Sequence, residues 1–217
     1  MGEPIPSQVA VEELPAETIV PDHWTATPAA LDAAQALDIG VSRRGFRILE
    51  IGAGAAVFSG AFSHRDPTCH VTVIDNAVGL EKARDTAVGI EAIERFEFVE
   101  GDYRSPKFES DSYDMVIVAS LLQRFTEAEA RVWLKHLVTA LKPGGDFVIL
   151  DWYHGQEKGA TAMAFRELEM TLRLAHARVH SPPAIRTWML DAGLENIQFA
   201  FLPSPPHIWG LLVGQRA

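Results

Sequence analysis

The sequence predicts one α/β domain with a mostly parallel sheet and helices on both of its faces. A bulky apolar run over residues 46–51 leads directly into a glycine turn at residues 52–54, as expected for a buried strand followed by a helix. Four further apolar runs end in polar or acidic residues, with helical patterns between most of them. The 217 residues suffice for one such domain and are too few for two ordinary ones.

Five segments have the composition of buried parallel strands, and a polar side chain ends or follows each. They are residues 46–51, 70–75, 96–100, 114–118 and 147–151. Because the carboxyl ends of parallel strands meet at one edge of a sheet, we expect a single crevice there. Two later segments, 197–202 and 208–213, are predicted to form a terminal hairpin that supplies an antiparallel strand, for seven strands in all.

The helices are predicted from apolar spacing and from the residues at their ends. Proline in the first turn and alanines inside indicate a helix over residues 28–37. Thr126 and Glu129 form a capping box before an apolar stripe that runs to Leu141, where the Lys-Pro-Gly-Gly turn stops the helix. Other helices are predicted to begin near residue 58 and to cover residues 79–89, 160–179 and 184–192.

These elements divide the chain into an arm and a domain. Residues 1–26 are rich in proline and acid, so they are expected to form a flexible or draped arm. Residues 27–217 are expected to form the single domain, with residues 155–182 as a helical insertion on its substrate side.

Composition restricts the possible partners. The net charge of −10 and the absence of basic runs argue against a nucleic-acid substrate. No stretch approaches the ~20 apolar residues that a membrane helix needs, and no secretory signal is evident. The single cysteine, Cys69, excludes an internal disulfide and suits the reducing cytoplasm, where we expect the protein to be located.

Five motifs in the expected order give the chain a family resemblance. They are LEIGAG (residues 49–54), VTVIDN (71–76), EFVEGDYR (97–104), YDMVIVASLLQRFTEAEA (113–130) and ALKPGGDFVILDW (140–152). Their set resembles the core of a class I S-adenosylmethionine-dependent methyltransferase, most closely the catalytic domain of small-molecule O-methyltransferases. A nicotinamide-binding domain is the competing interpretation, but its third glycine would fall at Val57.

The resemblance implies the cofactor S-adenosylmethionine and assigns the strand ends to its parts. An acid after the first strand would take the ammonium group, and glycines would lie against the methionyl and ribose portions. The acid after the second strand would accept the ribose hydroxyls, and residues after the third and fourth strands would contact adenine and surround the sulfonium. The implied residues are Glu50, Gly52, Gly54, Asp75, Asn76, Asp102, Tyr103, Ala119 and Ser120.

The position of the general base departs from the family. Where these O-methyltransferases carry a His-Asp-Trp triplet, this sequence has Gln123, Arg124 and Phe125, and glutamine cannot take a proton. His154 is the first candidate for a substitute base, followed by His23 and His207. Alternatively the acceptor needs no base, or the chain binds the cofactor without methylating anything.

The acceptor is expected to be a small, largely apolar or aromatic metabolite that is methylated at oxygen. The side chains expected to bind it are Trp24, Trp152, Tyr153, Met163, Arg166 and Met170. No metal site is predicted, because the histidines are scattered. The larger plant-type relatives carry a helical dimerisation domain for which this chain has no room, so monomer and homodimer both stay open.

Overall fold

The computed structural model describes residues 23–153, 164, 168, 179–202, 204 and 208–217, with the side chains of residues 23 and 24 excepted. Its centre is one seven-stranded sheet in the order β3-β2-β1-β4-β5-β7-β6. Strands β1 to β5 are parallel to one another, and β7 is antiparallel to both β5 and β6. The strands are β1 Arg47–Ile51, β2 His70–Asp75, β3 Phe96–Glu100, β4 Tyr113–Ala119, β5 Leu141–Asp151, β6 Leu194–Leu202 and β7 Trp209–Arg216.

Helices cover both faces of this sheet. In the described residues they are α1 His23–Ala36, α2 Val57–Arg65, α3 Ala77–Gly89, α4 Glu127–Val138 and α5 Pro182–Asp191, with short 3₁₀ turns at Ile93–Arg95 and Leu122–Arg124. Residues of α1, α2 and α3 share one hydrophobic core with one face of the sheet, and residues of α4 and α5 share a second core with the other face. The predicted seven-stranded α/β fold with an antiparallel terminal strand is therefore confirmed.

Most predicted elements agree with the structure to within two or three residues. The capping box is present: the Thr126 side chain accepts from the Glu129 backbone, and the Glu129 carboxylate accepts from the Thr126 backbone at 2.7 Å. The terminal hairpin is present as β6 and β7. Of the predicted insertion, the structure describes Ala164, Leu168 and the residues from 179 onward, and Ala164 and Leu168 are helical and exposed.

Three predicted boundaries were wrong. Helix α1 begins at His23 rather than at Pro28, which lies inside it. Burial of the alanine face of α1 offsets the hydrogen bond that proline cannot make. Helix α4 ends at Val138 rather than at Leu141. Strand β5 begins at Leu141 rather than at residue 147, so the Lys-Pro-Gly-Gly segment predicted as a turn lies inside the strand.

Tertiary pairing explains the early end of α4. The backbone N–H of Asp111 donates to the carbonyl of Thr139, and those of Ser112 and Tyr113 donate to the carbonyl of Ala140. The Arg216 guanidinium donates to the Leu141 carbonyl as well. The N–H groups of Thr139 and Ala140 donate to the carbonyls three residues back, so α4 closes in a tight turn there and the segment that follows pairs as a strand.

Candidate cofactor and acceptor site

The carboxyl end of β1 carries a buried acid that no cation of the described residues neutralises. Glu50 is 1% exposed, and one of its oxygens accepts the Ser59 N–H at 3.1 Å. The other oxygen, Oε1, is buried and has no hydrogen-bond partner in the described part of the chain. Burial raises the pKa of Glu50 from 4.5 to about 7, the Ser59 hydrogen bonds oppose this rise, and the Asp75 carboxylate adds to it. Such a carboxyl suits a positively charged ligand group.

The end of β2 is joined to the glycine turn through Asp75. Its carboxylate accepts the Gly54 N–H and the Asn76 N–H, each at 2.7 Å, and the side chain is 5% exposed. Asn76 caps α3 by accepting the Gly79 N–H at 2.9 Å. A Cβ at position 79 would lie 2.4 Å from the Asp75 carboxyl carbon, so only glycine leaves room for that carboxylate.

The glycine turn packs closely against the segments that follow β3 and β4. Gly52 has a φ of +60°, which side-chain-bearing residues rarely adopt. A Cβ there would meet Leu121 at 2.8 Å and the Tyr103 Cβ at 3.4 Å. The turn therefore lies against the segments that follow two neighbouring strands.

The exit of β3 is held close to Asp75 and to α4. The N–H of Gly101 donates to the Asp75 carbonyl at 2.9 Å. Asp102 is exposed and accepts from the Arg104 N–H and the Ser105 hydroxyl at 2.9 and 3.2 Å. The indole of Trp133 donates to the Tyr103 carbonyl at 2.8 Å, which fixes this loop on the helix.

The exit of β4 carries two polar side chains that face inward. Ser120 has a φ of +51°, and its hydroxyl is buried without a hydrogen-bond partner in the described residues. Gln123 is 5% exposed, and its amide Nε2 donates to the Ser120 carbonyl at 3.0 Å. Non-glycine residues in the left-handed backbone conformation are strained, and such residues concentrate at functional sites.

The exit of β5 contributes two aromatic side chains to opposite faces of the sheet. Trp152 packs edge-on against Trp209 in the core that includes α1 and α2. Tyr153 belongs to the other core and contacts the Phe199 ring at a centroid distance of 5.6 Å. A Cβ at Gly210 would lie 2.1 Å from the Tyr153 ring, so the ring occupies the space that a side chain at position 210 would need.

Several predicted site residues lie outside the described residues. They are His154, Met163, Arg166, Met170 and His207. His23 and Trp24 are in the first turn of α1, and their side chains are likewise outside the description. Their roles therefore stay predictions.

Three residues of this region escaped the sequence reasoning. Trp133 lies on the apolar stripe of α4 and is buried, yet its indole N–H also holds the Tyr103 loop. Gly79 and Gly210 belong to no recognisable sequence motif. The space beside Gly79 is filled by Asp75 on β2, and the space beside Gly210 is filled by Tyr153, which is distant in sequence.

Metal-binding clusters and membrane-spanning helices were both sought in the described residues. No group of three or more His, Cys, Asp or Glu side chains among them could hold a metal ion. Within the same residues, no helix is long and apolar enough to cross a bilayer.

The sheet order, the glycine turn and the acids at the strand ends agree with the predicted resemblance to class I S-adenosylmethionine-dependent methyltransferases. Residues 48–145 match the family described as a methyltransferase domain. The chain is 27% identical over 183 residues to the ubiquinone/menaquinone biosynthesis C-methyltransferase UbiE of Pseudomonas fluorescens, covering 76% of this chain and 71% of that protein.

Solved structures share the fold. An O-methyltransferase family protein from Burkholderia thailandensis has a TM-score of 0.76 at 24% identity, over 90% of this chain and 57% of that one. Human N-acetylserotonin methyltransferase, solved in complex with S-adenosylmethionine, has a TM-score of 0.67 at 17% identity, over 89% of this chain and 52% of that one. The chain thus spans little more than half the length of these structural neighbours.

Proposed function

We propose that this protein transfers a methyl group from S-adenosylmethionine to a small, largely apolar or aromatic acceptor. The observation that carries the proposal is the meeting of Glu50 and Asp75 at the glycine turn, with the Asp102 loop bonded to the backbone of Asp75. These groups match the charged and hydroxyl-bearing parts of the cofactor, which supplies an activated methyl group when bound.

Each of these residues has a defined task in the proposal. The orphaned oxygen of Glu50 accepts from the cofactor's ammonium group and so gains the cation that its buried site lacks. The Asp75 carboxylate keeps lone pairs beside its two backbone hydrogen bonds, and these accept the ribose hydroxyls. Asp102, exposed at the next strand exit, accepts from the adenine amino group, and Tyr103 covers a face of the ring.

The atom that receives the methyl group is proposed to be oxygen. The fold relatives named as O-methyltransferases favour oxygen, whereas the relative UbiE is named for methylation at carbon. An ionised phenol or enol is nucleophilic at its oxygen and at an adjacent carbon, so this one class of acceptor is compatible with methylation at either atom. The work of the enzyme is then to hold the nucleophile in line with the methyl group at near-contact distance.

The first experiment is isothermal titration with S-adenosylmethionine and with its demethylated product. Replacing Asp75 with alanine is expected to weaken binding by about 1–3 kcal/mol, because a buried charged acceptor is lost. Glu100, an exposed acid at the end of the neighbouring strand, is the matched control, and Glu100→Ala should leave binding unchanged. Equal affinities for the wild type and Asp75→Ala would remove Asp75 from the site.

A protein that binds the cofactor without methylating is the second candidate, and Gln123 is the observation that favours it. Its amide is buried and occupied by the Ser120 carbonyl, and it cannot accept a proton. Incubation with radiolabelled cofactor and a broad panel of phenols, enols and carboxylic acids separates the candidates. Label transfer supports the enzyme, whereas cofactor binding without transfer to any acceptor supports the second candidate. His154→Ala with full turnover would exclude His154 as the base.

A further inference from the structure

Several buried polar atoms without partners lie at the carboxyl edge of the sheet. Among the described residues they include Glu50 Oε1, Ser120 Oγ and Tyr153 Oη. Buried polar groups are normally hydrogen-bonded, so an unpaired one at the edge that carries the proposed site is a candidate for contact with a ligand. Glu50 belongs to the proposed cofactor site, and Tyr153 directly follows β5 at the same edge.

Tyr153 is held in one position by its surroundings. The side chain is 3% exposed, and its ring lies directly against the backbone of Gly210. The rings of Tyr153 and Phe199 form a T-shaped pair with an interplanar angle of 77°. Burial raises the pKa of Tyr153 well above its ordinary value, and the nearby Asp151 carboxylate adds to this effect. The phenol therefore keeps its proton and acts as a hydrogen-bond donor.

We propose that the Tyr153 hydroxyl donates a hydrogen bond to the reacting oxygen of the acceptor, which is a phenol or enol that reacts as its anion. This inference rests on the proposed function and names the acceptor class of the same site. The donor replaces the missing base: it stabilises the ionised acceptor instead of removing its proton. A fixed donor aimed at developing or existing negative charge in a buried site is an effective form of catalysis.

The chemical step balances without a protein base. The acceptor's hydroxyl proton leaves to water, and the Tyr153 hydrogen bond lowers the acceptor's pKa so that the anion is present at neutral pH. The acceptor oxygen then attacks the methyl carbon; the new O–C bond forms, and the S–C bond breaks with its electron pair staying on sulfur. Attack through an adjacent carbon follows the same path, with the carbon's proton lost to water afterwards.

Two charges bear on the ionisation of the acceptor. The Asp151 carboxylate, at the end of β5, disfavours a second anion, although one of its oxygens already accepts the Trp152 N–H at 2.8 Å. The sulfonium of the cofactor favours an anion, because an opposite charge nearby lowers an acid's pKa. Gln123 adds no charge, and its amide is held by the Ser120 carbonyl.

The test is Tyr153→Phe, which removes one oxygen atom and keeps the ring in its packed position against Gly210. Because the hydroxyl has no partner among the described residues, we expect an unchanged or higher melting temperature and unchanged binding of S-adenosylhomocysteine. Turnover of weakly acidic phenols should fall about 10- to 100-fold, as for the loss of a hydrogen bond to a charged group, and that of strongly acidic phenols should fall less. Tyr113→Phe is the control, since Tyr113 is also buried but lies at the opposite end of β4.

An optical titration gives a readout that does not depend on turnover. 4-Nitrophenol bound to the S-adenosylhomocysteine complex should ionise at a lower pH in the wild type than in Tyr153→Phe, with an acid constant about tenfold larger or more. Gly210→Ala, which displaces the ring, should act like Tyr153→Phe. A Tyr153→Phe protein with wild-type turnover and wild-type nitrophenol ionisation overturns the inference, as does binding of no phenol while the cofactor binds. A wild-type protein that binds no cofactor instead overturns the proposed function.

Discussion

Replacing Glu50 with glutamine should make the free protein more stable above neutral pH and impair cofactor binding at the same time. Glu50 is buried with one oxygen unpartnered, and its pKa rises from 4.5 to about 7. An acid with a higher pKa in the folded chain binds its proton more tightly there than in the unfolded chain. Stability therefore falls as the pH rises from about 4.5 to about 7 and stays reduced above that range.

The size of this effect follows from the two pKa values. At ~1.36 kcal/mol per pH unit, a rise from 4.5 to about 7 corresponds to about 3 kcal/mol of lost stability above neutral pH. The glutamine variant has no such loss, although its amide still pays part of the desolvation cost of burial. Urea denaturation at several pH values between 4 and 8.5 measures the difference directly.

The expected result is a wild-type stability that declines with pH relative to Glu50→Gln, so that the variant is the more stable protein at pH 8. Glu100→Gln, at the exposed end of β3, should follow the wild-type curve. In the same samples, Glu50→Gln should bind S-adenosylhomocysteine about 10- to 100-fold more weakly, because the cofactor's ammonium loses its anion. Parallel stability curves for wild type and Glu50→Gln would refute this reasoning.

Three smaller changes test the supports of the site. Gly79→Ala should weaken cofactor binding about as much as Asp75→Ala, because the added Cβ displaces the Asp75 carboxylate. Calorimetry that gives Gly79→Ala the cofactor affinity of the wild type would contradict this. Trp133→Phe keeps the packing but loses the hydrogen bond to Tyr103, so the cofactor's dissociation constant should rise by roughly 5- to 10-fold with melting nearly unchanged. Thr126→Ala removes the N-cap of α4 and should cost about 1 kcal/mol of stability, with cofactor affinity as the unaffected control.

The parts of the fold that were predictable are those in which local pattern and tertiary packing agree. The capping box at Thr126 and the apolar runs of the five parallel strands satisfy local rules and also face the core. The end of α4 was not predictable, because carbonyls near Thr139 take N–H groups from the segment at 111–113, which is distant in sequence. The start of α1 was missed for a similar reason, since Pro28 is tolerated inside a helix whose alanine face is buried.

The candidate site was likewise predictable only in part. That Glu50 and Asp75 end neighbouring strands can be read from the sequence, because strand ends are marked by a change from apolar to polar residues. That Glu50 has no cation beside it within the described part of the chain, and that the Tyr153 hydroxyl is unpaired there, depends on which side chains surround them in three dimensions. Trp133 shows the limit most clearly, since its position on a helical stripe predicts burial but not the hydrogen bond that its indole makes.

A crystal structure with S-adenosylhomocysteine bound tests most directly whether the strand ends form one adenosyl site. We expect the ribose hydroxyls within ~3 Å of the Asp75 carboxylate, the ammonium group beside Glu50 and the adenine next to Asp102. Ligand density anywhere else, for example in the cavity of about 370 Å³ lined by Arg47, Thr72 and Tyr113, would contradict the assignment.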